Sequence, residues 1–91
     1  MLLEDTQSGL IEACRRGETD AQRALFDLYK DRVFTIALRY SGDATTAEDV
    51  TQDSFLKLFA AIGKFRGDSG FDSWLYRLVV NACFDQKRKT R

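Results

Sequence analysis

No stretch of this chain alternates apolar and polar residues with a period of two; apolar residues instead recur three and four apart, in runs that stop at glycines. That spacing builds helices and leaves no strand from which to make a sheet. The first run extends from about Ser8 to Arg16, with Leu10, Ile11 and Cys14 on one side, and stops at Gly17. Thr19 stands three before Gln22, a capping-box spacing that opens a long helix to about Tyr40, ended by Gly42. Thr45 with Glu48 repeats the spacing ahead of a third helix that reaches Ile62 before Gly63. Ser69 with Asp72 repeats it again, for a fourth helix from Gly70 to about Lys87. Connections this short fold consecutive helices back on one another, so the expected fold is all-α, a compact bundle of about four helices.

With 91 residues there is material for one core, and residues 1–91 are expected to form a single domain. The sequence has no histidine and only two cysteines, Cys14 and Cys83, which leaves no Cys/His zinc arrangement and no imidazole for acid–base chemistry. Both thiols are expected in the core. No glycine loop of the phosphate-cradling kind and no nucleophile elbow is present, so neither an enzyme nor a cofactor is expected. The longest apolar stretch, near Leu78 to Val80, is far short of the roughly 20 residues that span a bilayer. The expectation is a cytoplasmic protein with no membrane insertion.

The zero net charge hides a segregation. From Arg77 onward the chain carries plus four, and the part before it minus four. A basic end beside an acidic body fits two partners of opposite charge, one of them a polyanion such as nucleic acid, or else a solvated tail.

At 100° per residue the third helix gathers Ala47, Val50, Ser54, Phe55, Leu58, Phe59, Ala61 and Ile62 on one half, the expected core side. Its opposite face holds Asp49, Gln52, Asp53, Leu56 and Ala60. Two carboxylates and an amide beside an unburied leucine suit docking against a basic, partly apolar helix, with charge steering the approach and the leucine supplying desolvated contact. In the fourth helix Phe71, Trp74, Leu75, Leu78, Val79 and Ala82 converge, which makes Trp74 a core anchor. The other face presents Ser73, Tyr76, Arg77, Val80, Asn81, Phe84, Lys87 and Arg88, and no acid. Cations for phosphate, an amide and stackable aromatics are the ingredients of contact with separated strands. Between the two helices, Lys64-Phe65-Arg66-Gly67-Asp68-Ser69-Gly70 offers two cations, an aromatic ring and a backbone able to bend tightly beside that face. The two surfaces are expected on opposed sides of the bundle.

The runs Ala47-Glu48-Asp49-Val50-Thr51-Gln52-Asp53-Ser54-Phe55-Leu56, Lys64-Phe65-Arg66-Gly67-Asp68-Ser69 and Trp74-Leu75-Tyr76-Arg77, followed by Asn81, resemble region 2 of bacterial sigma factors of the extracytoplasmic-function group. The resemblance extends from about Leu10 to Arg91. It implies a domain that binds the clamp helices of the largest subunit of the RNA polymerase core and recognises and melts the promoter minus-10 element by capturing nontemplate-strand bases. Asp49, Gln52 and Asp53 match the family's polymerase-docking motif, with Leu56 beside them. Phe65, Arg66, Gly67, Asp68 and Ser69 match the loop that receives a flipped base. Arg77, Asn81 and Phe84 fall where the next helix faces DNA, and Lys87, Arg88 and Lys89 where phosphates pass. Extrusion of a base costs a few kcal/mol, and stacking returns roughly 1 to 3 kcal/mol per base.

The resemblance also implies an anti-sigma protein as a partner and a second, helix-turn-helix domain for the minus-35 element, absent from this chain, which would make it a fragment. Two other readings remain at this stage: a helical protein-interaction module, and a regulator of duplex DNA, for which no suitable helix-turn-helix is visible.

Overall fold

A computed structural model of the protein describes residues 3–65 and 70–89, and the described residues form four α-helices and one 3-10 turn, with no strand. In chain order these are α1 (Leu3–Arg15), α2 (Thr19–Ser41), α3 (Ala44–Ala61), the 3-10 turn (Ile62–Lys64) and α4 (Phe71–Lys89). Helices α2, α3 and α4 pack on one another, and α1 lies against α2 and the 3-10 turn. The expected all-α bundle is therefore what forms.

The helix ends are made differently from the sequence expectation. Helix α1 begins before Ser8, because Gly9 weakens an exposed helix without breaking it. At its end Gly17 takes a left-handed φ of 82°, with Gly17 N–H donating to Cys14 O at 2.9 Å and Glu18 N–H to Ala13 O at 3.2 Å. That pair of bonds is a Schellman closure. It places Glu18 at the start of α2, so Thr19 is already helical and cannot act as the cap with Gln22; the Glu18 carboxylate pairs with Arg16 instead, at 2.8 Å. Gly42, at φ 84°, closes α2 through its N–H to Leu38 O.

Asp43, in extended backbone, caps α3 by accepting from Thr46 N–H at 2.8 Å, which puts Thr45 and Glu48 inside the helix rather than in a capping box. That N–H holds the Asp43 carboxyl below the usual carboxylate range. The stabilisation is complete above the unfolded value near 4 and disappears as pH falls through the lowered native value. Asp43→Asn keeps an acceptor at the cap but has no proton to take up. Its melting temperature should therefore fall less than that of the parent chain between about pH 5 and pH 2. Parallel acid limbs in the two proteins would overturn the assignment.

The expected Ser69 cap falls outside the described residues. Asp72, in the first turn of α4, accepts from Tyr29 Oη at 3.3 Å and Gln7 Nε2 at 3.4 Å, and pairs with Arg32 at 3.3 Å. One carboxylate thus ties α4 to both α1 and α2.

The core follows the helical spacing. Leu25, Val33 and Ala37 of α2, Ala47, Val50 and Leu58 of α3, and Leu75, Val79 and Ala82 of α4 are all closed to solvent. Cys14 and Cys83 are buried there as expected. Ser54 is fully buried, and among the described residues its hydroxyl has no hydrogen-bond partner. Trp74 departs from its expected role. It is half-buried, a lid on the core edge packed against Phe65 and Phe71, with ring centroids 5.0 and 5.8 Å away.

Candidate functional site

Burial of Val50, Ser54 and Leu58 turns the other side of α3 outward. Asp49, Gln52 and Leu56 are exposed, Leu56 by 71%, and Asp53 is partly covered. The apolar half of the helix is already packed on the core, so Leu56 stands outside it, beside the carboxylates of Asp49 and Asp53. Asp53 is covered because Lys57, one turn on, approaches its carboxylate at 3.0 Å. The same ammonium reaches across to Asp85 of α4 at 2.9 Å, and Asp85 also pairs with Arg88. Two carboxylates around one ammonium hold Lys57 above its ordinary value, with Asp85 the larger influence and Asp53 next. Asp85 is correspondingly held low, by Lys57 first and Arg88 second.

Helix α4 buries Phe71, Leu75, Val79, Ala82 and Cys83, which leaves Ser73, Tyr76, Arg77, Asn81, Phe84, Lys87, Arg88 and Lys89 exposed. Val80 is the exception among the residues expected outside: it is half-buried against the core. Phe84, 49% exposed, meets the edge of Tyr40 at 6.3 Å and has the Lys87 ammonium 5.9 Å from its ring. Tyr40 in turn shares a 2.8 Å hydroxyl–hydroxyl bond with Tyr76, which raises the Tyr40 phenol above its ordinary value. The exposed ring is thus flanked by Tyr40 on one side and Lys87 on the other.

Of the loop assignments, Arg66, Gly67, Asp68 and Ser69 lie outside the described residues. Phe65, at the loop's near end, is half-buried, with its ring 5.8 Å from Phe71 and 5.0 Å from Trp74. Gly70, at the far end, has a φ of 77° that only glycine adopts without strain, and its carbonyl accepts the N–H of Trp74. Both ends of the connection are therefore anchored at the first turn of α4, Phe65 on its core side.

The two surfaces are not opposed. The ion chain Asp53, Lys57, Asp85, Arg88 runs from one to the other, so the anionic patch of α3 and the cationic strip of α4 share an edge. Sequence reasoning missed Lys57, Asp85 and Tyr40. The Asp53–Lys57 spacing of four was a visible signal; the reach of Lys57 to another helix was not. Cys14 and Cys83 are buried, and burial pushes both thiols up, away from the reactive thiolate. The two surfaces differ in chemistry: carboxylates beside a leucine on one, cations and aromatic rings on the other.

Residues 25–91 match the family described as Sigma-70 region 2. Among curated proteins, the RNA polymerase sigma-H factor of Pseudomonas aeruginosa is 38% identical over 91% of this chain and 43% of its own length. The ECF RNA polymerase sigma-E factor of Escherichia coli strain K12 is 40% identical over 86% of this chain and 40% of its own. The chain thus spans about two-fifths of the length of these relatives. Among solved structures, an engineered region 2 of sigmaE in complex with GTAAAA superposes with a TM-score of 0.78 at 32% identity, covering 93% of this chain and 88% of that one.

Proposed function

This chain belongs to the sigma-70 region 2 family, and on that premise we propose that it is a transcription initiation domain, holding RNA polymerase core on α3 and single-stranded promoter DNA on α4. The observation that supports this best is the pair of adjoining surfaces. The α3 patch of Asp49, Gln52, Asp53 and Leu56 combines charge with an exposed leucine, as a contact with the cationic clamp helices of the largest polymerase subunit needs. The α4 strip of Arg77, Asn81, Phe84, Lys87, Arg88 and Lys89 combines phosphate-binding cations, an amide and a braced aromatic ring. Phe65 through Ser69 complete it, as the loop that receives a base flipped from the nontemplate minus-10 strand. Binding energy then opens the duplex, with no nucleotide hydrolysis, since an exposed ring can stack on a base only after that base has left the duplex. Within a longer sigma factor, a second domain would read the minus-35 element. An anti-sigma protein is a further partner, covering one of these surfaces, and the domain works in the cytoplasm, where RNA polymerase and promoter DNA are found.

The test is direct titration of the 91-residue chain with a single-stranded oligonucleotide containing GTAAAA, the same sequence in duplex form, and a scrambled single strand. Single strand should be preferred over duplex. If Arg77, Lys87, Arg88 and Lys89 each neutralise a phosphate, log affinity should fall against log salt with a slope of about −3. A flat salt response, or a preference for duplex, would refute the assignment of α4.

A further inference from the structure

Helices α2 and α4 leave an open groove of about 770 Å³ between them, and its walls carry three arginines, Arg32, Arg39 and Arg77. Only Arg77 belongs to the DNA-facing strip described above. We propose that this groove is a second strand-binding site, in which Arg39 of α2 and Arg77 of α4 grip a phosphodiester of the nontemplate strand beyond the bases held by α4. The inference rests on the functional reading of α4 given above.

The two ends of the groove differ in charge. At one end the carboxylates of Asp31 and Asp72 line the wall, and Arg32 is already paired with Asp72 at 3.3 Å. At the other end stand Arg39, Tyr76 and Arg77; Arg77 is already engaged within the protein, and none of the described lining residues at that end is a carboxylate. Arg32 and Arg39 are seven residues apart on the same stripe of α2, so the two ends are separated by about 10 Å. Among the described residues Arg39 forms no hydrogen bond or ion pair. An exposed guanidinium without an anion, facing a second one across a groove, is matched to a bidentate phosphate.

Continuity with the α4 strip selects nucleic acid as the occupant. Tyr76 lines the groove, and its hydroxyl is bonded to Tyr40, whose ring meets Phe84 on the strip. A strand stacked on Phe84 and contacting Asn81 therefore has a path past Tyr76 into the cationic end, and the acidic end stops it from going further. Thr35, on the α2 wall, leaves the path free of bulk or negative charge.

The experiment compares two probes on the 91-residue chain: the single-stranded hexamer GTAAAA, and the same hexamer extended by three nucleotides at each end. Arg39→Ala should weaken the longer strand about fivefold to tenfold and reduce the magnitude of its salt slope by about 0.7. Affinity for the hexamer, and the preference for its base order over a scrambled one, should not change. Thr35→Glu, which adds a carboxylate to the same wall, should reproduce the loss, and Arg39→Lys should restore part of it. Both positions are exposed, so melting temperatures should stay at the parent value. Equal binding of the longer strand by parent and Arg39→Ala overturns the inference. So does an Arg39→Ala protein that keeps full DNA affinity and loses polymerase core, which would make the groove a protein contact. If the parent chain binds neither probe, the functional reading itself falls, an outcome distinct from failure of the groove alone.

Discussion

Asp53→Arg is expected to lower the affinity of this chain for RNA polymerase core by at least about 30-fold, the factor to which about 2 kcal/mol corresponds, without altering its melting temperature. The size follows from where the charge sits. Asp53 lies on the solvent side of α3, between Gln52 and Leu56, and a partner helix covering Leu56 would also exclude water from the carboxylate. A desolvated cation–carboxylate pair is costly to break, and placing two cations there is costlier still. Among the described residues of the free protein Asp53 pairs with Lys57 alone, on the surface, where such a pair contributes little. Lys57 keeps Asp85 as a second partner at 2.9 Å, so Asp53 can turn to an incoming cation without stranding the lysine. Leu56→Ala tests the apolar half of the same contact, and an additional loss there would show that charge and leucine act on one surface. Binding of Asp53→Arg to core at the parent affinity, with the fold intact, would remove α3 from the interface.

The faces of α3 and α4 were legible in the sequence because helical geometry alone decides them. Once Val50, Ser54 and Leu58 point inward, Asp49, Gln52 and Leu56 must point outward, whatever the rest of the chain does. Helix ends were less legible, since competing caps lie within a residue or two of one another. Thr19 and Thr45 have the right spacing to Gln22 and Glu48, but glycines in left-handed backbone at positions 17 and 42 set the chain so that Glu18 and Asp43 fall at the cap position first. Contacts between helices were not legible at all. Asp85 reads in sequence as a lone acid in a basic tail, and only the packing of α3 on α4 turns it into the link between Lys57 and Arg88. The same packing of α3 on α4 makes the two surfaces adjoin, where opposed sides were expected. Arg32 and Arg39 look like ordinary solvated charges on α2 until α4 lies alongside and makes them one wall of a groove.

Phe71→Ala should be the most damaging single truncation for stability and should harm DNA binding only through that loss. Phe71 is 5% exposed and is the hub of the aromatic cluster: Tyr29 stands 5.3 Å away, Phe65 5.8 Å and Trp74 5.8 Å. Removing a buried ring of this size costs about 3 to 5 kcal/mol through lost transfer energy and an unfilled cavity. A domain of this length has a total stability on the order of 5 to 14 kcal/mol, so much of the folded population is at risk. The melting temperature should drop by at least about 12 °C. Trp74 and Phe65 lose a shared support when Phe71 goes, so the near end of the 65–70 connection loosens together with the first turn of α4. Phe71→Leu keeps most of the volume and should recover more than half of the loss. Phe84→Ala provides the contrast. Its ring is half-exposed on the DNA side, so truncation should move stability by no more than about 0.5 kcal/mol. Loss of its stacking should instead weaken single-strand affinity by roughly 1 to 3 kcal/mol. A Phe71→Ala protein that melts like the parent, or a Phe84→Ala protein that unfolds, would reverse the division between the ring that holds the fold and the ring that meets the strand.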